Sequence, residues 1–289
     1  AHVDQQRTTD GATPLIMASQ NGHLSVVRQL LENNASVNMT KHDGVSALWI
    51  ASSKGHSDIV SLLLQHNAHV NATHNDGRSA LWQASQNGHD NVVSLLLQHN
   101  AHVDQQRTTD GATPLIMAKR HLSVVRLLLE SRATCDLPDD TGITAFIRAC
   151  QFGHLGVAHL LVEFGADIDH QSVHGVNAVF AACYRCQVDV VREFATRGRV
   201  NTKCDLGYNS LHATVYLNED EALHLFREVT FQKDIESFEV TSNNHPSLSV
   251  TESITNKMIK RKTKTIGKTS ESDKSQVINM IIELIDSVN

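Results

Sequence analysis

Seven glycines set the frame of this chain: Gly11, Gly44, Gly77, Gly111, Gly142, Gly175 and Gly207 recur at intervals of 31 to 34 residues. Each precedes a short helix-like block, as in Thr13-Pro14-Leu15-Ile16-Met17-Ala18, Ser46-Ala47-Leu48-Trp49-Ile50-Ala51 and Ser79-Ala80-Leu81-Trp82-Gln83-Ala84. A second apolar block follows in each unit: Leu24 to Glu32, Ser57 to Gln65, Asp90 to Gln98. Self-similarity at such a period is the mark of an array in which each unit buries its apolar face only against its neighbours.

Elementary chemistry accounts for the slots. Thr13 and Ser46 suit a helix start, where a hydroxyl accepts from a free backbone N–H. Pro14 and Pro114 follow at the first helical position, where no N–H is missed. Gly22, Gly55, Gly88 and Gly153 end the first helix, since glycine enters left-handed backbone at least cost. The second helix carries Val26, Val27, Leu30 and Leu31 as a stripe facing a neighbour. Ala18, Ala51 and Ala84 are small enough for close helix approach, and Asn38 to Asp43, closed by Gly44, reads as a hairpin-like turn.

On these residues the chain resembles the ankyrin repeat family: Asp43-Gly44-x-Ser46-x-Leu48, Gly55-His56, Leu62-Leu63-Leu64 and Ala68-His69-Val70-Asn71 follow its pattern. The resemblance covers residues 1–230. It implies an all-α α-solenoid of stacked helix-turn-helix repeats with β-turn fingers, with units near 10–42, 43–75, 76–109, 110–140, 141–173, 174–205 and 206–230. It also implies a binding scaffold without chemistry of its own. Three departures stand out. The slot where the family commonly has His after the Leu of helix 1 holds Ile16, Trp49, Trp82, Ile116, Ile147 and Phe180, and only once His212, so apolar packing is expected to replace a polar network between repeats. Repeat four lacks two residues, with Ala118-Lys119-Arg120-His121 set against Ala18-Ser19-Gln20-Asn21-Gly22-His23. Repeat six puts Cys186 in the glycine slot and is expected to end its helix differently, because cysteine tolerates left-handed backbone poorly.

Residues 1–18 and 101–118 are identical, and Ser61–Val70 recurs as Ser94–Val103, which indicates duplication of a block of three repeats. The chain opens inside a repeat, so it reads as a cut array whose first face exposes Leu15 and Val26. Residues 231–274 are rich in Ser, Thr, Asn and Lys and read as a flexible linker or insertion. Residues 275–289 return to helical spacing as a cap or the start of a further repeat.

Charge and composition narrow the function. The net charge is −6, and residues 231–289 hold eight basic and eight acidic side chains, so the repeat segment carries the acidic excess. That counts against a nucleic-acid partner, which needs clustered cations. Apolar runs such as Leu62-Leu63-Leu64 fall far short of the roughly 20 residues of a membrane span. Five sparse cysteines suit a reducing compartment, hence a cytoplasmic protein, with the Lys260–Lys264 cluster as a possible nuclear-import signal. His66-x-x-His69 and His99-x-x-His102 recur because the repeat recurs and lack matching partners, so no metal is expected. Cys183-Tyr184-Arg185-Cys186 occupies an Ala slot and a Gly slot rather than a redox site. No phosphate loop or nucleophile motif appears, and no enzyme activity or cofactor is expected.

The resemblance places binding at turn tips and at the groove-facing end of helix 1. The residues in those positions are Thr40, His42, Asp43, Val45, Lys54, Asn75, Arg78, Gln86, Asn87, Lys119, Arg120, Gln151, Phe152, His174, Tyr184 and Arg185. Phe152 and Tyr184 are the foremost pair, since aromatics on a preordered face favour interfaces. Trp49 and Trp82 are assigned to packing between repeats. The expected partner is another protein bound by a monomeric array. The alternative is a targeting region of a larger enzyme.

Overall fold

The computed structural model describes residues 3–195 and contains twelve α-helices in that range. In pairs, one pair per repeat, they are α1 (Pro14–Gln20) and α2 (Leu24–Glu32), α3 (Ala47–Lys54) and α4 (Ser57–Gln65), α5 (Ala80–Asn87) and α6 (Asp90–Gln98). There follow α7 (Pro114–Met117) and α8 (Leu122–Glu130), α9 (Ala145–Gln151) and α10 (Leu155–Glu163), and α11 (Ala178–Tyr184) with α12 (Val188–Phe194). The chain divides into two compact units, one of Ala1–Ala149 with His154–Asp167 and one of Cys150–Gly153 with Ile168–Asn289. The expected seventh repeat, the 231–274 segment, the helical spacing of 275–289 and the Lys260–Lys264 cluster lie outside the described residues.

In the first unit α1, α3, α5 and α7 pack side by side, and α2, α4, α6, α8 and α10 form a second row. No strand occurs among the described residues. Isolated bridges join Thr40 to Ser46 and Thr73 to Ser79 at the base of two fingers. Each finger closes as the expected hairpin-like turn: Lys41 N–H donates to Val45 O at 2.9 Å and Gly44 N–H to Lys41 O at 3.0 Å. No helix of the described residues is long and apolar enough to cross a membrane.

The helix starts follow from the sequence. Thr13, Ser46, Ser79 and Thr113 accept from the N–H groups of Ile16, Trp49, Trp82 and Ile116. The second helices end differently, with Asn34, Asn67, Asn100 and Arg132 at positive φ. Asparagine is the side-chain-bearing residue that visits this region most readily, and three of these four turns use it.

Between repeats the bonds run in register. Asn38 Oδ1 accepts from His69 N–H at 2.8 Å, Asn71 Oδ1 from His102 N–H at 2.7 Å, and Asp104 Oδ1 from Thr134 N–H at 3.0 Å. His56, His89 and His121 each bring Nε2 to a backbone oxygen of the preceding repeat: Gln20 at 3.3 Å, Ser53 at 3.0 Å and Gln86 at 3.2 Å. These imidazoles therefore bond across the repeat boundary rather than within their own helix start. The indoles of Trp49 and Trp82 donate forward, to Arg78 O at 3.0 Å and Ala112 O at 2.8 Å. A polar network between repeats is thus present, carried by the histidines at the start of helix 2 and, within the slot after the helix-1 leucine, by the indole N–H groups of Trp49 and Trp82.

Trp82 and Leu96 are fully buried and Trp49 is 7% exposed, which makes them packing residues. Each such side chain contributes roughly 1.5–3 kcal/mol by leaving water. Two expectations are corrected. Leu15 is buried, so of the apolar pair on the first repeat only Val26 is exposed. The slot of Val26 is filled by Ile59, Val92 and Val124 in the next three repeats, all buried, whereas the leucine slot is buried from the first repeat on. Cys186 adopts φ +56°, the same left-handed turn as the glycines in its slot. Gln187 N–H to Ala182 O at 2.9 Å and Cys186 N–H to Cys183 O at 3.1 Å hold that geometry against the steric cost of its Cβ.

Candidate functional site: fingers and helix ends

The fingers of the first unit are joined to one another by backbone bonds, one per repeat. His42 N–H donates to Asp10 O at 3.0 Å, Asn75 N–H to Asp43 O at 2.9 Å, Thr108 N–H to Asp76 O at 2.8 Å, and Asp140 N–H to Asp110 O at 2.9 Å. The aspartates that start the turns also bond inward. Asp43 Oδ1 accepts from Val45 N–H at 3.0 Å, and Asp10, Asp76 and Asp110 accept from Ala12, Arg78 and Ala112 in the same way. Arginines of the fingers pair with these carboxylates: Arg7 with Asp10, Arg78 with Asp76 and Arg107 with Asp110. The Arg7 guanidinium, with help from Lys41, holds the Asp10 carboxyl well below its usual range. Asp76 and Asp110 are lowered too; burial raises them, but hydrogen bonds and cations outweigh it.

Of the residues expected at the binding face, His42, Asp43, Lys54, Asn75, Asn87, Arg120 and Arg185 are exposed. Thr40, Arg78, Gln86, Lys119, Phe152, His174 and Tyr184 are half-buried. Val45 and Gln151 are 6% and 5% exposed and are withdrawn from the surface, since the chain packs over them. Several of the remaining side chains also fasten one repeat to the next. Asn75 Nδ2 donates to His42 O at 3.2 Å and Asn87 Nδ2 to Ser53 O at 2.8 Å. The Arg78 guanidinium lies over both tryptophan rings, 5.6 Å from Trp49 and 5.7 Å from Trp82.

In the second unit Arg185 sits between the foremost aromatic pair, 5.8 Å from the Phe152 ring and 5.9 Å from that of Tyr184. Sequence reasoning singled out the two rings and Arg185 separately; the guanidinium that joins them appears only in three dimensions. Cys183 is buried, and burial pushes its thiol far above the ordinary range, opposite to what a reactive dithiol needs. The His66, His69, His99 and His102 side chains are exposed, and His99 Nδ1 lies 2.9 Å from Leu95 O. Among the described residues no three His, Cys, Asp or Glu side chains converge as a metal site.

At the turn between α7 and α8 the helix ends differ from the other repeats. Arg120 Nε donates to His121 Nε2 at 3.1 Å. Desolvation by burial and then the Arg120 charge lower the His121 pKa. Burial followed by Lys119, Arg120 and His121 does the same to His154.

Helix pairs stacked in register, with a row of linked turns, define a helical-repeat scaffold. A family model described as ankyrin repeats in three copies matches residues 1–74, 68–139, 103–172 and 146–237. The chain belongs to the ankyrin repeat family, whose members generally act as protein–protein interaction modules and are typically non-catalytic. A comparison with curated protein sequences gives no match.

Proposed function

We propose that this chain is a protein-interaction scaffold that holds a partner protein through its finger tips and helix-1 ends. In the first unit the contact residues are His42, Asp43, Lys54, Asn75, Gln86, Asn87, Lys119 and Arg120. In the second unit Phe152, Tyr184 and Arg185 form a further contact surface, with aromatic area and a guanidinium on one patch. One observation carries the reading: the finger-to-finger backbone bonds, 2.8–3.0 Å long, fix the exposed side chains of successive repeats at regular positions before any partner arrives. Side chains ordered in advance lose little entropy on binding, so modest polar contacts suffice for affinity.

The test is capture of protein partners by the full chain and by two variant sets, His42→Ala with Asn75→Ala and Asn87→Ala, and Phe152→Ala with Tyr184→Ala. A partner held by the parent and weakened at least tenfold by the first set supports the reading. Capture that survives both sets unchanged refutes it.

A further inference from the structure

The identity between residues 1–18 and 101–118 stops where the first helix turns into the second. There Ser19-Gln20-Asn21-Gly22 gives way to Lys119-Arg120, so a neutral turn becomes a shorter one carrying two cations. The backbone registers the change: α7 ends at Met117, whereas α1 runs to Gln20, and the bond that closes the turn, His121 N–H to Ala118 O at 2.7 Å, spans three residues where its counterpart His23 N–H to Ala18 O at 3.0 Å spans five. Arg120 is exposed, and its Nε donates to an imidazole rather than to a carboxylate. The finger arginines Arg7, Arg78 and Arg107, by contrast, each pair with an aspartate.

The neighbourhood adds to the positive potential. His121 and His154 stand at the starts of α8 and α10, and neither helix has a side-chain cap or an acidic residue in its first turn. The equivalent helices α4 and α6 carry Asp58 and Asp90 there. Helix N-termini bear partial positive charge, so an arriving anion is favoured beside this turn.

We propose that Lys119, Arg120, His121 and His154 form a docking patch for an acidic segment of a partner protein. The inference rests on the scaffold reading above and names the chemistry of the partner. What the patch recognises is closely spaced negative charge, supplied by carboxylates or by a phosphorylated side chain. Arg120 offers a planar fork for two-point contact with either group. A nucleic acid fits less well: the permanent cations here are two, in a chain of net charge −6, and a duplex presents a charge about every 1.7 Å.

The imidazoles supply a second signature. His121 faces Arg120, His89 and Asp90, and Asp90 accepts from Ser123 Oγ at 2.6 Å. His154 faces Lys119, Arg120 and His121. These surroundings disfavour protonation in the free protein, and a bound anion reverses the balance, so binding strengthens as pH falls toward 6.

The experiment uses the full chain and three labelled peptides followed by fluorescence anisotropy: a Glu-rich one, a phosphoserine-containing one and a Gln-substituted neutral one. We expect the acidic peptides to bind and the neutral one to fail. Lys119→Gln with Arg120→Gln should weaken binding at least tenfold with helix content unchanged, and Arg28→Gln, an exposed change on α2, should leave it intact. Affinity should rise several-fold between about pH 7.5 and pH 6. The relative strength of the two acidic peptides tells carboxylate from phosphate recognition. Equal binding by the double variant, an equal loss with Arg28→Gln, or displacement by an oligonucleotide at lower charge concentration overturns the proposal. A chain that captures its protein partner yet ignores acidic peptides overturns this inference alone. One that binds acidic peptides through Lys119 and Arg120 but captures no protein overturns only the scaffold reading.

Discussion

Trp82 Nε1 donates to the carbonyl oxygen of Ala112 at 2.8 Å, thirty residues along the chain, from a side chain with no exposed surface. The bond ties the first helix of one repeat to the finger base of the next. Ala112 O also accepts from Arg107 N–H, so that oxygen keeps one partner if the indole is lost. Trp82→Phe is therefore expected to destabilise the array by about 1–2 kcal/mol, and Trp82→Ala by about 3–5 kcal/mol through the added cavity. Trp49→Phe should cost less, since Trp49 keeps 7% of its surface exposed and its bond to Arg78 O is longer, 3.0 Å. Urea unfolding of the three variants measures the order, and a neutral Trp82→Phe shows that the indole bond contributes nothing net.

Ser19, Ser52 and Ser85 fill one slot in the first three repeats, and their hydroxyls are buried without a hydrogen-bond partner. A buried hydroxyl lacking a partner costs about 1–3 kcal/mol relative to an apolar group of the same shape. Repeats five and six place Cys150 and Cys183 in that slot, and burial raises both thiols. Ser52→Ala and Ser85→Ala are thus expected to stabilise by about 1 kcal/mol each. Because the two serines lie in different helix pairs, the gains should add. A melting temperature lowered by either change contradicts this account.

The period, the hydroxyl caps, the prolines at the helix starts and the buried tryptophans were all legible in the sequence, because each rests on local chemistry repeated at fixed spacing. What was not legible depends on the neighbouring repeat. Nothing in the order of residues shows that His89 reaches back to Ser53, or that Arg78 lies over two tryptophans at once. Val45 lies next to exposed finger residues along the chain and yet is buried, since the hairpin folds its last residue beneath the turn. The phenylalanine–arginine–tyrosine cluster likewise needed the fold to bring Phe152 beside Arg185.

Cys186 and Gly88 occupy the same turn in different repeats, and they should respond to substitution in opposite directions. Gly88 has φ +74°, and a Cβ there would collide with the His121 ring. Gly88→Ala combines the left-handed cost of about 1–2 kcal/mol with displacement of that imidazole, so its effect should exceed the backbone term. Cys186 already bears the backbone cost at φ +56°. Cys186→Gly is expected to stabilise by about 0.5–1 kcal/mol once the extra chain entropy of glycine is set against the relief. Thermal unfolding of both variants beside the parent decides it: a destabilised Cys186→Gly means the cysteine side chain contributes packing that outweighs the strain.

Acidification should weaken the array in two stages with different causes. His121 and His154 have pKa values held below 6.5, by burial first and by neighbouring cations second. The unfolded chain takes up their protons more readily than the folded one, so the stability they allow is complete above 6.5 and is lost as pH falls through their folded values. Asp10, Asp76 and Asp110 are lowered below 3.8, so their contribution persists through the first stage and disappears only as pH drops below that value. Melting temperature between about pH 7.5 and pH 5 should fall for the parent and fall less for His121→Gln with His154→Gln. Glutamine is close to the imidazole in reach but cannot charge, and Gln187 already replaces the histidine in repeat six. Parallel curves for parent and double variant over that range would remove the histidines as the source of the first loss.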